Sequence, residues 1–107
     1  MIKAKVEIIA EMSRYLKNRG ILSYWYTGVA SDPRQRLFLD HNVPQSGGNG
    51  WIYRECENAA IAREVVDHLI KNLGTDGEYG DGDDSARYVY AYRKTARTRE
   101  SVNARQP

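Results

Sequence analysis

The chain has 107 residues, 41% of them apolar and 28% charged, with a formal charge of +2. That length carries one small domain with a single core, and so weak a net charge does not by itself argue for a nucleic-acid binder. One cysteine excludes an internal disulfide and no apolar run approaches the roughly 20 residues of a membrane helix, so composition points to a soluble protein of a reducing compartment such as the cytoplasm.

Ile2, Val6, Ile9, Met12 and Leu16 recur three or four residues apart, the spacing of one helical face. Glu7 and Glu11 interrupt any apolar run there, which argues against a secretory leader. A basic "KNR" and then Gly20 suit a helix C-terminus, so a first amphipathic helix is predicted over about Lys3 to Asn18. "ILSYWYTGVA" is rich in aromatic and β-branched residues and reads as a strand, with Tyr24 and Tyr26 on one face and Trp25 on the other. "SDP" offers Ser31 or Asp32 as a cap and Pro33 as a first-turn residue. The helix expected from about Pro33 to Asn42 buries Leu37, with Phe38 as a second candidate, and leaves its arginines outward.

"VPQSGGNG", Val43 to Gly50, has the composition of a flexible loop, and "GWIYREC" reads as a second strand. Asn58 is placed to cap a long helix whose stripe is Ile61, Val65, Leu69 and Leu73 together with Ala62, Val66 and Ile70; Gly74 ends it. The acidic "TDGEYGDGDD" lacks the alternating ligand pattern of a calcium loop, so a solvated turn is expected, held away from any bound nucleic acid by its charge. "ARYVYAYRKT" reads as a third strand, Tyr88, Tyr90 and Tyr92 on one face and Val89 and Ala91 on the other. Six Arg or Lys lie between Arg87 and Arg105. Residues 96–107 show no apolar periodicity and are expected to form a disordered basic tail behind a single domain spanning residues 1–95. Alternating helices and strands give an α/β or α+β domain, a small three-stranded sheet flanked by helices.

Tyr26-Thr27-Gly28 ends the first strand, Arg36 follows eight residues after the glycine, and "ENAAIARE" brings Glu64 on a later helix. In order and spacing this resembles the GIY-YIG nuclease family over about Leu22 to Leu73. The resemblance implies a domain that hydrolyses nucleic-acid phosphodiester bonds, DNA ahead of RNA, as an endonuclease dependent on Mg²⁺ or Mn²⁺. It implies that Glu64 holds the metal, that Tyr26 helps activate water and that Arg36 neutralises the scissile phosphate. Arg34 and His41 join Arg36 as candidate nucleic-acid contacts. One carboxylate with several waters suits Mg²⁺, and a guanidinium fork matches phosphate oxygens.

The chain departs from the family at three places. No "G-[IV]-Y" strand precedes "YWYTG"; "RYVYAYRK" is expected to take its place beside that strand, with Tyr88 or Tyr90 standing in. The position four residues after Arg36, where relatives carry histidine, is Asp40, and on an α-helix His41 lies about 100° further round. No asparagine can be matched to a phosphate-supporting position. So short a chain implies a homodimer, a guiding partner protein or weak sequence specificity. Two other readings stay open: a non-catalytic nucleic-acid-binding or regulatory module of the same fold, and an adaptor with no nucleic-acid role. Each residue also has an ordinary alternative: Glu64 a solvated helix residue, Arg36 a surface arginine, Tyr26 a sheet tyrosine, Trp25 and Trp51 core, His68 surface, and Cys56 packed in a strand.

Overall fold

In the computed structural model, residues 2–46, 50–79 and 84–100 are described. Parts of the expected loop (47–49), of the acidic turn (80–83) and of the tail (101–107) lie outside the described residues. The fold is mixed α+β: helix α1 spans Lys5–Lys17, strand β1 Trp25–Ala30, a π-helical turn Gln35–Asp40, β2 Trp51–Glu55, and α2 Ala59–His68, prolonged by a second π-helical turn over Leu69–Leu73. Strands β3 (Asp76–Gly77) and β4 (Tyr88–Arg93) follow.

The sheet has four strands rather than three, in the order β2-β4-β1-β3. β4 runs antiparallel to both β1 and β2, while β3 pairs parallel to β1 through Tyr26↔Asp76 and Thr27↔Gly77. The additional strand is two residues long and comes from the glycine-rich acidic stretch, which carries no period-2 apolar signal.

Alternation along the strands splits the core into two layers. On one face Trp25, Val29, Ile52, Val89 and Ala91 pack with Ile8, Met12 and Leu16 of α1 and Ala62, Val65, Val66 and Leu69 of the α2 segment. On the other, Tyr26, Ala30, Tyr90 and Tyr92 pack with Leu37 and Val43. Burying each large apolar side chain stabilises the fold by about 1.5–3 kcal/mol.

α2 follows its sequence pattern: the Asn58 side chain accepts from the Ile61 N–H at 2.8 Å, and Gly74 ends the segment at φ +83°, a conformation that costs glycine little. α1 is turned relative to the expected stripe. Val6 is exposed, because the buried row is Ile8, Met12 and Leu16, and Val6 stands roughly 200° round from Ile8. Leu22–Tyr24 form a 3₁₀ turn rather than strand, which leaves Tyr24 at the surface and Trp25 fully buried.

Candidate functional site

Gly28 is the opening in the sheet around which the polar residues gather. It faces Tyr90 across the antiparallel pair β1/β4, so "RYVYAYRK" does lie beside "YWYTG". A Cβ at Gly28 would sit 2.5 Å from the Tyr90 hydroxyl oxygen. The missing side chain therefore lets the Tyr90 ring cross the strand and deliver its hydroxyl to the far side.

That hydroxyl lies 2.8 Å from His41 Nε2, with the Arg36 guanidinium near enough to oppose the upward shift of its pKa. His41 Nδ1 meets the Arg99 carbonyl oxygen. A carbonyl can only accept, so Nδ1 carries the proton and Nε2 accepts from Tyr90. The bonds run in one direction, from Tyr90 to His41 to the Arg99 carbonyl. Beside them the Tyr26 hydroxyl donates to Glu78 Oε2 at 2.8 Å, and the Tyr92 hydroxyl donates to Glu100 Oε2 at 3.0 Å. The His41 ring packs against Tyr26, Tyr90 and Tyr92 with centroids 4.9–5.5 Å away.

The local helix geometry brings His41 here. Asp32 Oδ1 caps the turn by accepting from the Gln35 N–H at 3.1 Å, but the helix then widens, and the His41 N–H bonds to the Arg36 carbonyl five residues back. An α-helix would turn His41 away from Arg36; an i→i+5 turn stacks it over Arg36 while Asp40 still reaches the guanidinium at 3.2 Å. Arg36 is accordingly half-buried rather than fully outward. Arg34 stays exposed, its guanidinium 5.2 Å from the Phe38 ring. His41, expected among the nucleic-acid contacts, is wholly buried.

Electrostatics keep this cluster neutral. Burial pushes the Tyr26, Tyr90 and Tyr92 hydroxyls above the ordinary tyrosine pKa; the neighbouring carboxylates add to this, Glu78 at Tyr26 and Tyr90 and Glu100 at Tyr92. Burial lowers the His41 pKa and outweighs the Arg99 carbonyl, which favours the charged form. The tyrosines therefore act as hydrogen-bond donors rather than bases, and the one free imidazole nitrogen is already occupied.

Glu64 is elsewhere. It lies on α2, whose apolar stripe packs on the Trp25 face, and its carboxylate is held 2.9 Å from Lys5 Nζ on a solvent-exposed groove of about 600 Å³. Arg63, Lys71 and Tyr79 line the same groove. Tyr26 and Arg36 come together on the opposite face of the sheet, and Glu64 does not join them. Among the described residues no three His, Cys, Asp or Glu side chains gather into a cluster able to hold a metal ion. Glu64 carries the Lys5 ammonium and Asp67, which lines the same groove, carries Lys71, so both carboxylates are already paired with cations.

Comparison with protein-family models, with curated proteins and with solved structures finds no match. Among the described residues no helix is long and apolar enough to cross a membrane.

Two participants were missing from the sequence reading. Glu78 lies in the stretch expected to avoid the site, yet it bonds Tyr26; its signal was Gly77, where a Cβ would collide with the Thr27 carbonyl oxygen, so that only glycine lets β3 run so close to β1. Residues 97–100, expected in a disordered tail, form a strap: the Arg99 N–H donates to the His41 carbonyl at 2.8 Å, Asn42 Nδ2 donates to the Arg97 carbonyl at 3.0 Å, and Thr98 is buried. No apolar periodicity announces such a strap, because backbone groups and Glu100 hold it.

Proposed function

We propose that the chain is a non-catalytic, GIY-YIG-like module that binds nucleic acid, DNA ahead of RNA. The observation that carries this reading is the separation of Glu64 from Tyr26 and Arg36 by the thickness of the sheet. The three roles that the family resemblance assigns need one phosphate within reach of all three residues. Exposed Arg34, Arg97 and Arg99 supply cations suited to a phosphate backbone, where neutralised charges release counterions. A second copy of the chain or a partner protein is proposed as the source of any sequence selectivity.

One observation favours the second reading, a Mg²⁺- or Mn²⁺-dependent endonuclease. β4 pairs with β1 and sets Tyr92 beside Tyr26 and Tyr90 opposite Gly28, which supports β4 as a stand-in for the missing first motif. In that reading the carboxylate that would serve a metal is not available from Glu64 as it stands, so no hydrolytic step is derived.

The two separate in one experiment. Plasmid and branched DNA are incubated with the protein, with Mg²⁺ and with a chelator, and binding is followed over a salt series. Binding that weakens with salt, with the DNA intact, is the expected result. Metal-dependent cleavage would reject the non-catalytic reading.

A further inference from the structure

Trp51 and Tyr53 on β2 and Tyr88 on β4 point to the same face of the sheet as Tyr90 and Tyr92. The two inner rings are wholly buried, whereas Trp51, Tyr53 and Tyr88 keep part of their surface in solvent. β2 is the end strand of the sheet, so these three rings form an aromatic margin at its edge. The Trp51 and Tyr53 rings are nearly parallel, 11° apart in plane with centroids 6.0 Å apart, and Tyr88 meets Tyr53 at 6.2 Å. Phe38 stands edge-on to Trp51 at 5.0 Å and carries the Arg34 guanidinium over its own ring.

We infer that this margin is a stacking platform for single-stranded nucleic acid. The inference rests on the nucleic-acid reading above and adds to it which surface binds and in what form. Partly exposed aromatic side chains, two of them two residues apart on β2 and a third on β4, offer an apolar surface for stacking of unpaired bases. A duplex hides its base faces in its own stack and cannot use them. Cations for the backbone flank one end: Arg34 sits over Phe38, and Arg97 and Arg99 lie on the strap fastened to His41 and Tyr92, the latter being the register partner of Trp51. Two carboxylates share the region: Arg87 pairs with Glu55 at 2.8 Å, and Glu100 is turned onto the Tyr92 and Thr98 hydroxyls. Charge and ring chemistry therefore agree on one occupant.

The test uses the full chain and a thymidine oligomer of roughly 12 nucleotides, within the range of known stacking sites. The chain has two tryptophans, and Trp25 is fully buried, so quenching by a bound base reports Trp51. The oligomer is expected to quench tryptophan emission and to bind at least tenfold more tightly than a duplex of equal length. Tyr53→Ala is expected to weaken binding between about fivefold and a hundredfold, whereas Tyr53→Phe, which keeps the ring, leaves it within about twofold. Binding of the oligomer with unchanged emission and an unaffected Tyr53→Ala variant would overturn the platform while leaving the nucleic-acid reading in place. Absence of salt-sensitive binding to any DNA or RNA would overturn both. If Tyr53→Ala fails to fold, the Trp51 signal and the comparison with the duplex decide alone.

Discussion

Replacing Gly28 by alanine places a methyl group where the structure has a tyrosine. The new Cβ would lie 2.5 Å from the Tyr90 hydroxyl oxygen, 2.7 Å from Cζ and 3.0 Å from Cε2. Tyr90 is completely buried, and its hydroxyl is held by His41, so the ring has no free direction in which to yield. Overpacking of this kind costs about 1–3 kcal/mol, and displacing the hydroxyl from His41 adds about 1 kcal/mol. Alanine recovers about 0.5–1 kcal/mol through the lower entropy of its unfolded chain. The net expectation is a loss of about 2 kcal/mol, or on the order of 10 °C in Tm for a domain of this size. Urea denaturation with an unchanged slope measures it. A double-mutant cycle with Tyr90→Ala isolates the contact: in that background Gly28→Ala should cost at least about 0.5 kcal/mol less. A neutral or stabilising Gly28→Ala, or a cost independent of Tyr90, would refute the reasoning.

Four further outcomes follow from named contacts. Because burial lowers the pKa of His41 in the fold, the unfolded chain takes up the proton first. Stability is therefore full above about pH 6.5 and falls as pH drops below it, by up to about 1.4 kcal/mol per pH unit; urea midpoints from about pH 7.5 to 5 that do not move would contradict a buried neutral imidazole. Asn58→Ala removes the cap on Ile61 N–H and should cost about 1 kcal/mol by the same assay. Tyr26→Phe loses the bond to Glu78 and should cost about 1 kcal/mol, whereas Glu64→Ala, which breaks only an exposed pair with Lys5, should stay within about 0.5 kcal/mol.

Strong periodicity made much of the fold legible. The caps and stripe of α2 and the alternation of β4 appear where the pattern put them, because each is set by local chemistry and one buried face. Three features were illegible for separate physical reasons. β3 is held by its pairing with β1 and not by apolar side chains, so its two residues carry no strand signal. The widened turn after Asp32 changes the helical period itself, and a 3.6-residue wheel turned His41 away from Arg36, with which it in fact aligns. The strap at 97–100 is fixed by hydrogen bonds from its backbone and Glu100 to residues more than fifty positions away or across β4, which no window along the chain samples. For the site, the approach of the β4 tyrosines to Tyr26 and Gly28 was readable as a pairing of two tyrosine-rich strands. The placement of Glu64 was not, since its spacing from Arg36 says nothing about which face of the sheet its helix covers.

The most direct test follows one sample in two ways. Labelled single-stranded and branched DNA is titrated with the protein in Mg²⁺ over a salt series, with wild type and Glu64→Ala side by side, and each reaction is then run on a denaturing gel. The account predicts binding whose logarithm falls linearly with the logarithm of salt concentration, intact DNA in every lane, and no difference between the two proteins. Strand scission that requires Mg²⁺ and disappears in Glu64→Ala would contradict it.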